Sequence, residues 1–248
     1  MAYGINATEI FFAFVGGVLP ALLWLWFWLK EDANPEPRRI LLLTFIGGMV
    51  MAVVALFLEQ LAFLAFNNTF KSFSPGFASV FLLFVWALIE EMAKYSAARR
   101  VALRLPSFDE PVDALIYLIT AALGFAALEN ILFLLKVVGT QGMVVGLITG
   151  NLRFLGATLL HVVTSAIVGA SIAFSFFHKK KFFRNVIGGI FLASVLHTLF
   201  NFFIIKSRGM NLFKILIPLW LAVIVLMLIF EKIKGLKQED IKNNNKNI

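Results

Sequence analysis

Seven runs of mostly apolar residues dominate this chain, each about as long as the roughly 20 residues a helix needs to cross the hydrocarbon core of a bilayer. They lie near 8–29, 40–66, 77–98, 112–136, 143–177, 184–205 and 211–231. The composition gives such runs no other home. Hydrophobic residues make up 60% of the 248, charged residues only 15%, and the mean hydropathy is +0.90. A soluble core cannot hide that much apolar surface, so lipid is the solvent for most of the chain. The expected fold is all-α: a polytopic membrane helix bundle of about seven transmembrane helices. It forms one integral-membrane domain over residues 1–236, with its polar motifs concentrated in 77–205. The fifth run is too long for one simple crossing. Gly146, Gly150 and Asn151 predict a short re-entrant or interfacial helix near 143–151, ahead of a span that begins near Leu152. No Lys or Arg precedes the first run, which argues against a cleaved signal peptide. The Lys/Asn-rich tail, 237–248, has the composition of a disordered segment.

The formal charge of +8 does not point to a nucleic-acid partner, because the basic residues are sorted by loop. One set of alternate loops holds Lys30, Arg38, Arg39, Arg99, Arg100, Arg104, Lys179, Lys180, Lys181, Arg184 and the five lysines after Glu231. The other set holds Lys71, Lys136, Lys206 and Arg208. Fifteen against four predicts that the first set is cytoplasmic, which puts the amino terminus outside and the carboxyl terminus inside. The expected location is the cell membrane, with the lipid bilayer as the chain's surroundings. There is no cysteine, which removes disulfides, thiolate metal sites and a cysteine nucleophile together.

An ionisable group at mid-bilayer costs about 2.5–3.5 kcal/mol on insertion scales, so each one needs a reason to be there. The spans contain Glu59, Glu90, Glu91, Lys94, Glu129, Arg153, His161 and His197. Lys94 follows the adjacent glutamates by three and four residues, which places all three on one side of a helix. Burial and mutual repulsion raise at least one carboxyl pKa of such a pair, and a nearby ammonium lowers it. Carboxyls separated in this way suit general acid/base chemistry. A structural ion pair is the plain alternative, but it leaves the second glutamate without a partner in its own helix. Glu129 and Asn130 follow Gly124 in the fourth span, and Glu129 is suited to neutralise Arg153. Glu59 competes for the same arginine and reads as structural. His161 and His197 stand at similar depth on two antiparallel spans, within about one helical turn, so they are expected to meet. Asn201 shares the face of His197 one turn further out. Thr164 and Ser165 are placed to hold the His161 ring.

Together these residues resemble a known family. Glu90-Glu91-x-x-Lys94, Phe125-x-x-x-Glu129-Asn130, His161 and His197-x-x-x-Asn201, in that order on successive spans, look like the PrsW family of intramembrane proteases, within the superfamily of CAAX prenyl endopeptidases. The resemblance covers roughly residues 80–205. Lys94 and Glu129 stand where the CAAX enzymes have an arginine and a histidine, which argues against a prenylated substrate. The resemblance implies cleavage of a single-span membrane protein such as an anti-sigma factor.

On that analogy the expected catalytic residues are Glu90, Glu91, Glu129, His161, His197 and Asn201, supported by Lys94, Asn130 and Arg153. One of the glutamate pair acts as general base on a water. His197 and Asn201 hold the carbonyl oxygen as charge develops. Glu129 orients the water or His161, Lys94 keeps the second glutamate ionised, and no cofactor is needed. An alternative hydrolase reading makes His161, His197 and Glu129 a zinc site with an open position, although no His-Glu-x-x-His occurs. A proton-coupled transporter is the alternative from another class. It predicts an inverted repeat, and the sequence shows none.

Overall fold

The computed structural model describes residues 6–69, 75–207 and 212–246. Lys71 and Arg208, counted above on the loops poor in basic residues, lie outside them. So do Asn247 and Ile248 and, for side chains, the polar tail from Lys237 onward. The described residues form eight α-helices and no strand. They are α1 (Ala7–Leu29), α2 (Arg38–Thr69), α3 (Pro75–Val101), α4 (Asp113–Gln141), α5 (Met143–Leu155), α6 (Ala157–Ala173), α7 (Lys179–Ser207) and α8 (Leu212–Lys246).

Five helical segments are long and apolar enough to cross a membrane: Ala7–Leu29, Arg38–Asn67, Asp113–Gln141, Lys180–Lys206 and Leu216–Leu236. Their outer faces carry large apolar side chains that water would not tolerate in such numbers, among them Phe11, Phe57, Phe183, Ile205 and Leu228. The chain is an all-α polytopic membrane protein.

Helix α4 is the axis of the bundle. It packs against α1, α2, α3, α5 and α6, and it is buried from Asp113 to Ala127 without interruption. Its crossing with α2 depends on two glycines. A Cβ on Gly124 would lie 1.9 Å from the Phe45 carbonyl oxygen, and one on Gly48 would lie 2.0 Å from that of Ala121. The two backbones therefore touch, as small residues permit where lipid tails offer no hydrophobic drive for helix association. This contact draws α2 and α3 onto the face of α4 that carries Phe125 and Leu128, against Ala52, Ala55 and Ala93.

The break in the fifth apolar run falls later than the sequence suggests. Helix α5 continues through Gly150 and Asn151 to Leu155, and the chain leaves helical geometry at Gly156, with φ −123° and ψ −72°. Gly150 is instead an interior residue of α5 beside Leu134 of α4, where an added Cβ would make ordinary contact at 3.5 Å. The 13 residues of α5 are too few for a crossing. The consequence is that α6 begins only at Ala157, which puts His161 in its second turn.

At the other end of α4, Asp113 closes the preceding loop. Its carboxylate accepts the backbone N–H groups of Asp109, at 3.0 Å, and Glu110, at 2.7 Å. The Tyr117 hydroxyl donates to the Glu36 carboxylate, and burial pushes the Glu36 carboxyl above the usual carboxylate range. Asn34 Nδ2 donates to Glu110 at 2.7 Å, so the α1–α2 and α3–α4 connections form one polar knot. Lys234 on α8 joins this end through Glu31, at 3.0 Å.

Replacing Gly124 with Ala should cost about 1–3 kcal/mol, because the new methyl group must push α2 away. Gly188→Ala, where a Cβ meets nothing within 4 Å, should change little. Thermal unfolding of the two variants in detergent, beside the parent chain, measures the difference.

Candidate metal centre

Five helices bring their polar residues to one place: Glu90, Glu91 and Lys94 from α3, Glu129 and Asn130 from α4, Arg153 from α5, His161 from α6 and His197 from α7. Counted along α7, His197 is 18 residues from the first residue, Lys179, or roughly 27 Å. Counted along α6, His161 is four residues from Ala157, or roughly 6 Å. The histidines therefore lie toward the ends of α6 and α7 away from the 174–178 connection that joins them. The two rings meet edge to face, 5.3 Å between centroids. The matched depth read from the sequence is what the helices deliver.

The adjacent glutamates have different environments. Glu91 is fully buried, and its carboxylate accepts from Lys94 Nζ at 2.8 Å, Thr164 Oγ1 at 3.0 Å, His197 Nδ1 at 2.9 Å and Ser165 Oγ at 3.4 Å. Thr164 and Ser165 thus hold Glu91, not the His161 ring, because the third turn of α6 faces α3. Glu90 is less committed. Its side chain is 14% exposed, and its nearest partner is Lys94 Nζ at 3.3 Å. Beyond that, its Oε2 lies 3.7 Å from His161 Nδ1 and 3.9 Å from His197 Nε2.

Arg153 pairs with Glu129, as the sequence suggests, at 2.9 Å, and it also donates to Asn130 Oδ1. Asn130 Nδ2 in turn donates to Thr158 Oγ1 at 3.1 Å, a partner that no spacing pattern announces. Glu59 does not share this arginine. Its backbone carbonyl accepts from Trp86 Nε1 at 3.2 Å, and its carboxyl has no ion pair among the described residues. Asn201 sits partly buried one turn beyond His197 and makes no hydrogen bond to the cluster among the described residues.

Carboxylates only accept, so the bonds to Glu91 and Glu129 fix both histidine tautomers. His161 donates Nε2–H to Glu129 Oε2 at 2.8 Å, which leaves Nδ1 unprotonated, and that nitrogen accepts from Lys94 Nζ at 2.7 Å. His197 donates Nδ1–H to Glu91 Oε1, which leaves Nε2 free. Both unprotonated nitrogens face Glu90, and these three donor atoms all lie within 4.8 Å of one another. Two imidazole lone pairs and one carboxylate, with each imidazole held from behind by a second carboxylate, is the arrangement expected of a zinc-type site with an open position.

This geometry corrects the expectation that no cofactor is involved. It also changes the ligand set read from the sequence. The third donor comes from Glu90, while Glu129 occupies the far nitrogen of His161. Sequence spacing could not decide this, because it depends on which way the His161 ring turns.

A model of the family described as "PrsW family intramembrane metalloprotease" matches residues 36–230, from the start of α2 into α8. The chain belongs to the PrsW family of intramembrane proteases. The Protease PrsW of Geobacillus kaustophilus is 30% identical over 209 residues, covering 83% of this chain and 86% of its own. That of Clostridioides difficile is 27% identical over 240 residues, 95% and 93% of the two chains. That of Oceanobacillus iheyensis is 25% identical over 209 residues, 83% and 89%. No solved structure matches the chain. The match to the PrsW family spans every residue of the cluster, so the resemblance read from four short motifs holds over most of the chain.

Removing Glu91 should damage the fold more than removing Glu90. Glu91→Ala takes away the nearer carboxylate of the Lys94 ammonium and strands the His197 N–H in a buried site, and breaking a buried pair in this way costs about 3–5 kcal/mol. Glu90→Ala leaves Lys94 with Glu91, so its loss should be smaller. Denaturant titration of the purified variants gives both values.

Proposed function

We propose that this chain is a metal-dependent intramembrane endopeptidase whose ion, zinc by the chemistry of the donors, is held by Glu90, His161 and His197. One observation carries the reading: both histidines turn an unprotonated ring nitrogen toward the same Glu90 oxygen, while their opposite nitrogens donate to Glu91 and Glu129. When bound, such an ion supplies Lewis acidity, lowering the pKa of a water and polarising a peptide carbonyl.

The other residues set the geometry. Glu91 Oε1 holds the Nδ1 proton of His197, and Glu129 Oε2 holds the Nε2 proton of His161, so neither ring can turn its protonated nitrogen toward Glu90. Arg153 and Asn130 hold Glu129 in place, and Thr164 and Ser165 hold Glu91. Asn201, at the same edge as His197, donates its amide hydrogen to the carbonyl oxygen of the scissile bond as negative charge develops there. Phe125 closes the wall between Lys94 and His161, at 4.8 Å and 5.7 Å from its ring centroid.

The proposed substrate is a single-span membrane protein such as an anti-sigma factor. In this reading α3 and α6 complete a set of seven spans, α5 is an interfacial or re-entrant helix, and the basic loops put the amino terminus outside and the carboxyl terminus in the cytoplasm. The cluster then faces the extracytoplasmic half of the bilayer, and a substrate is cut near the outer end of its span.

Reconstitution with candidate single-span proteins tests the proposal. Fragments should form with the parent chain, disappear on Glu90→Gln, His161→Ala or chelation, and return after chelation when Zn²⁺ is restored. Undiminished cleavage by His161→Ala, or by chelated protein freed of metal, would contradict it.

A further inference from the structure

Lys94 occupies an unusual position for a residue beside a metal site. Its side chain is fully buried, and its Nζ stands 2.7 Å from His161 Nδ1, 2.8 Å from Glu91 Oε1 and 3.3 Å from Glu90 Oε2. Two of those three atoms belong to the three-donor set, and one of them is the unprotonated ring nitrogen of His161. An ammonium can only donate, so Lys94 points an N–H along the direction in which His161 would bind an ion. A zinc ion on the same nitrogen sits about 2.0–2.1 Å away, inside the volume that the ammonium fills. The lysine and the ion cannot both use His161 Nδ1.

We propose that Lys94 is a tethered cation that fills the centre in the metal-free protein and must leave His161 and Glu90 before a metal ion can be bound. The proposal rests on the metal reading above and adds to it a determinant of affinity outside the ligand set.

Charge supports the exchange. In their ordinary charge states Glu90, Glu91 and Glu129 carry three negative charges, which Lys94 and Arg153 leave one short of neutrality. With a dication in place and Lys94 withdrawn, the three carboxylates, Arg153 and the ion sum to zero. With the lysine still seated beside the ion, the cluster carries one excess positive charge in a medium that screens it poorly.

The lysine also has work to do while the ion is absent. Without it, two adjacent carboxylates would face each other across a buried site. The five-residue stretch of α3 from Glu90 to Lys94 therefore carries its own counter-cation in the metal-free centre. Metal binding then trades one cation for another, so the affinity measured for an ion is its intrinsic affinity reduced by the cost of displacing Lys94.

The test is Zn²⁺ binding by the full chain in detergent, titrated against a competing chelator, together with thermal unfolding with and without Zn²⁺. Lys94→Met should bind Zn²⁺ at least tenfold more tightly than the parent chain. It should also unfold earlier without the ion and gain more from its addition. Lys94→Arg, which keeps the charge, should bind no more tightly than the parent. Should Lys94→Met fail to fold, Lys94→Gln retains a hydrogen bond to Glu91 and is read in the same way.

Equal or weaker Zn²⁺ binding by the neutral variants, with binding by the parent still dependent on His161 and His197, would overturn the role of Lys94 and leave the metal reading standing. Absence of histidine-dependent Zn²⁺ binding in the parent and the neutral variants alike would overturn both.

Discussion

The buried carboxylate of Glu91 is the contact on which the rest of the centre depends. It accepts from a lysine on its own helix, from two hydroxyls on α6 and from a histidine ring on α7. A carboxylate away from water is tolerable only when its oxygens are satisfied and its charge is met. Once it is met in this way, three helices that lipid alone would leave free to slide are fixed in register. The His197 tautomer follows from the same contact, and so does the direction of its free nitrogen.

The second support comes from the opposite side. Arg153 reaches from the short helix α5 to Glu129 and Asn130 on α4, and Glu129 sets His161. The break at Gly156 makes this possible. A single uninterrupted helix through residues 143–173 would carry Arg153 and His161 eight residues apart on one rigid rod, roughly 12 Å along the axis. Ending α5 at Leu155 lets the arginine and the histidine converge on one carboxylate from two helices. The close crossing of α2 and α4 at Gly48 and Gly124 stands behind both supports, because it sets how near α3 can come to α4.

Much of this was legible in the sequence. The apolar runs gave the membrane bundle, and the intramembrane charges named the residues that meet. Similar counts along an antiparallel hairpin, matched to within about one helical turn, placed His161 beside His197, because a helix converts residue number into depth at a fixed rise. The limits were equally physical. Glycines at 146 and 150 looked like a helix break, yet Gly150 serves packing within α5 and the chain turns at Gly156, where no pattern distinguishes one small residue from another. The two adjacent glutamates could not be told apart, since one residue of rotation decides which of them faces α6 and α7. Ring orientation was out of reach entirely, and with it the choice between Glu90 and Glu129 as the third donor, and between a metal-free centre and a metal-binding one.

The central claim is that Glu90, His161 and His197 present three donor atoms to a single ion. X-ray absorption at the zinc edge, on the full chain purified in detergent and loaded with one equivalent of Zn²⁺, examines that directly. The account predicts a low-coordinate centre of nitrogen and oxygen donors with the scattering signature of two imidazoles, falling to one in His161→Ala or His197→Ala. An ion bound without imidazole, or a spectrum unchanged by loss of either histidine, would contradict it.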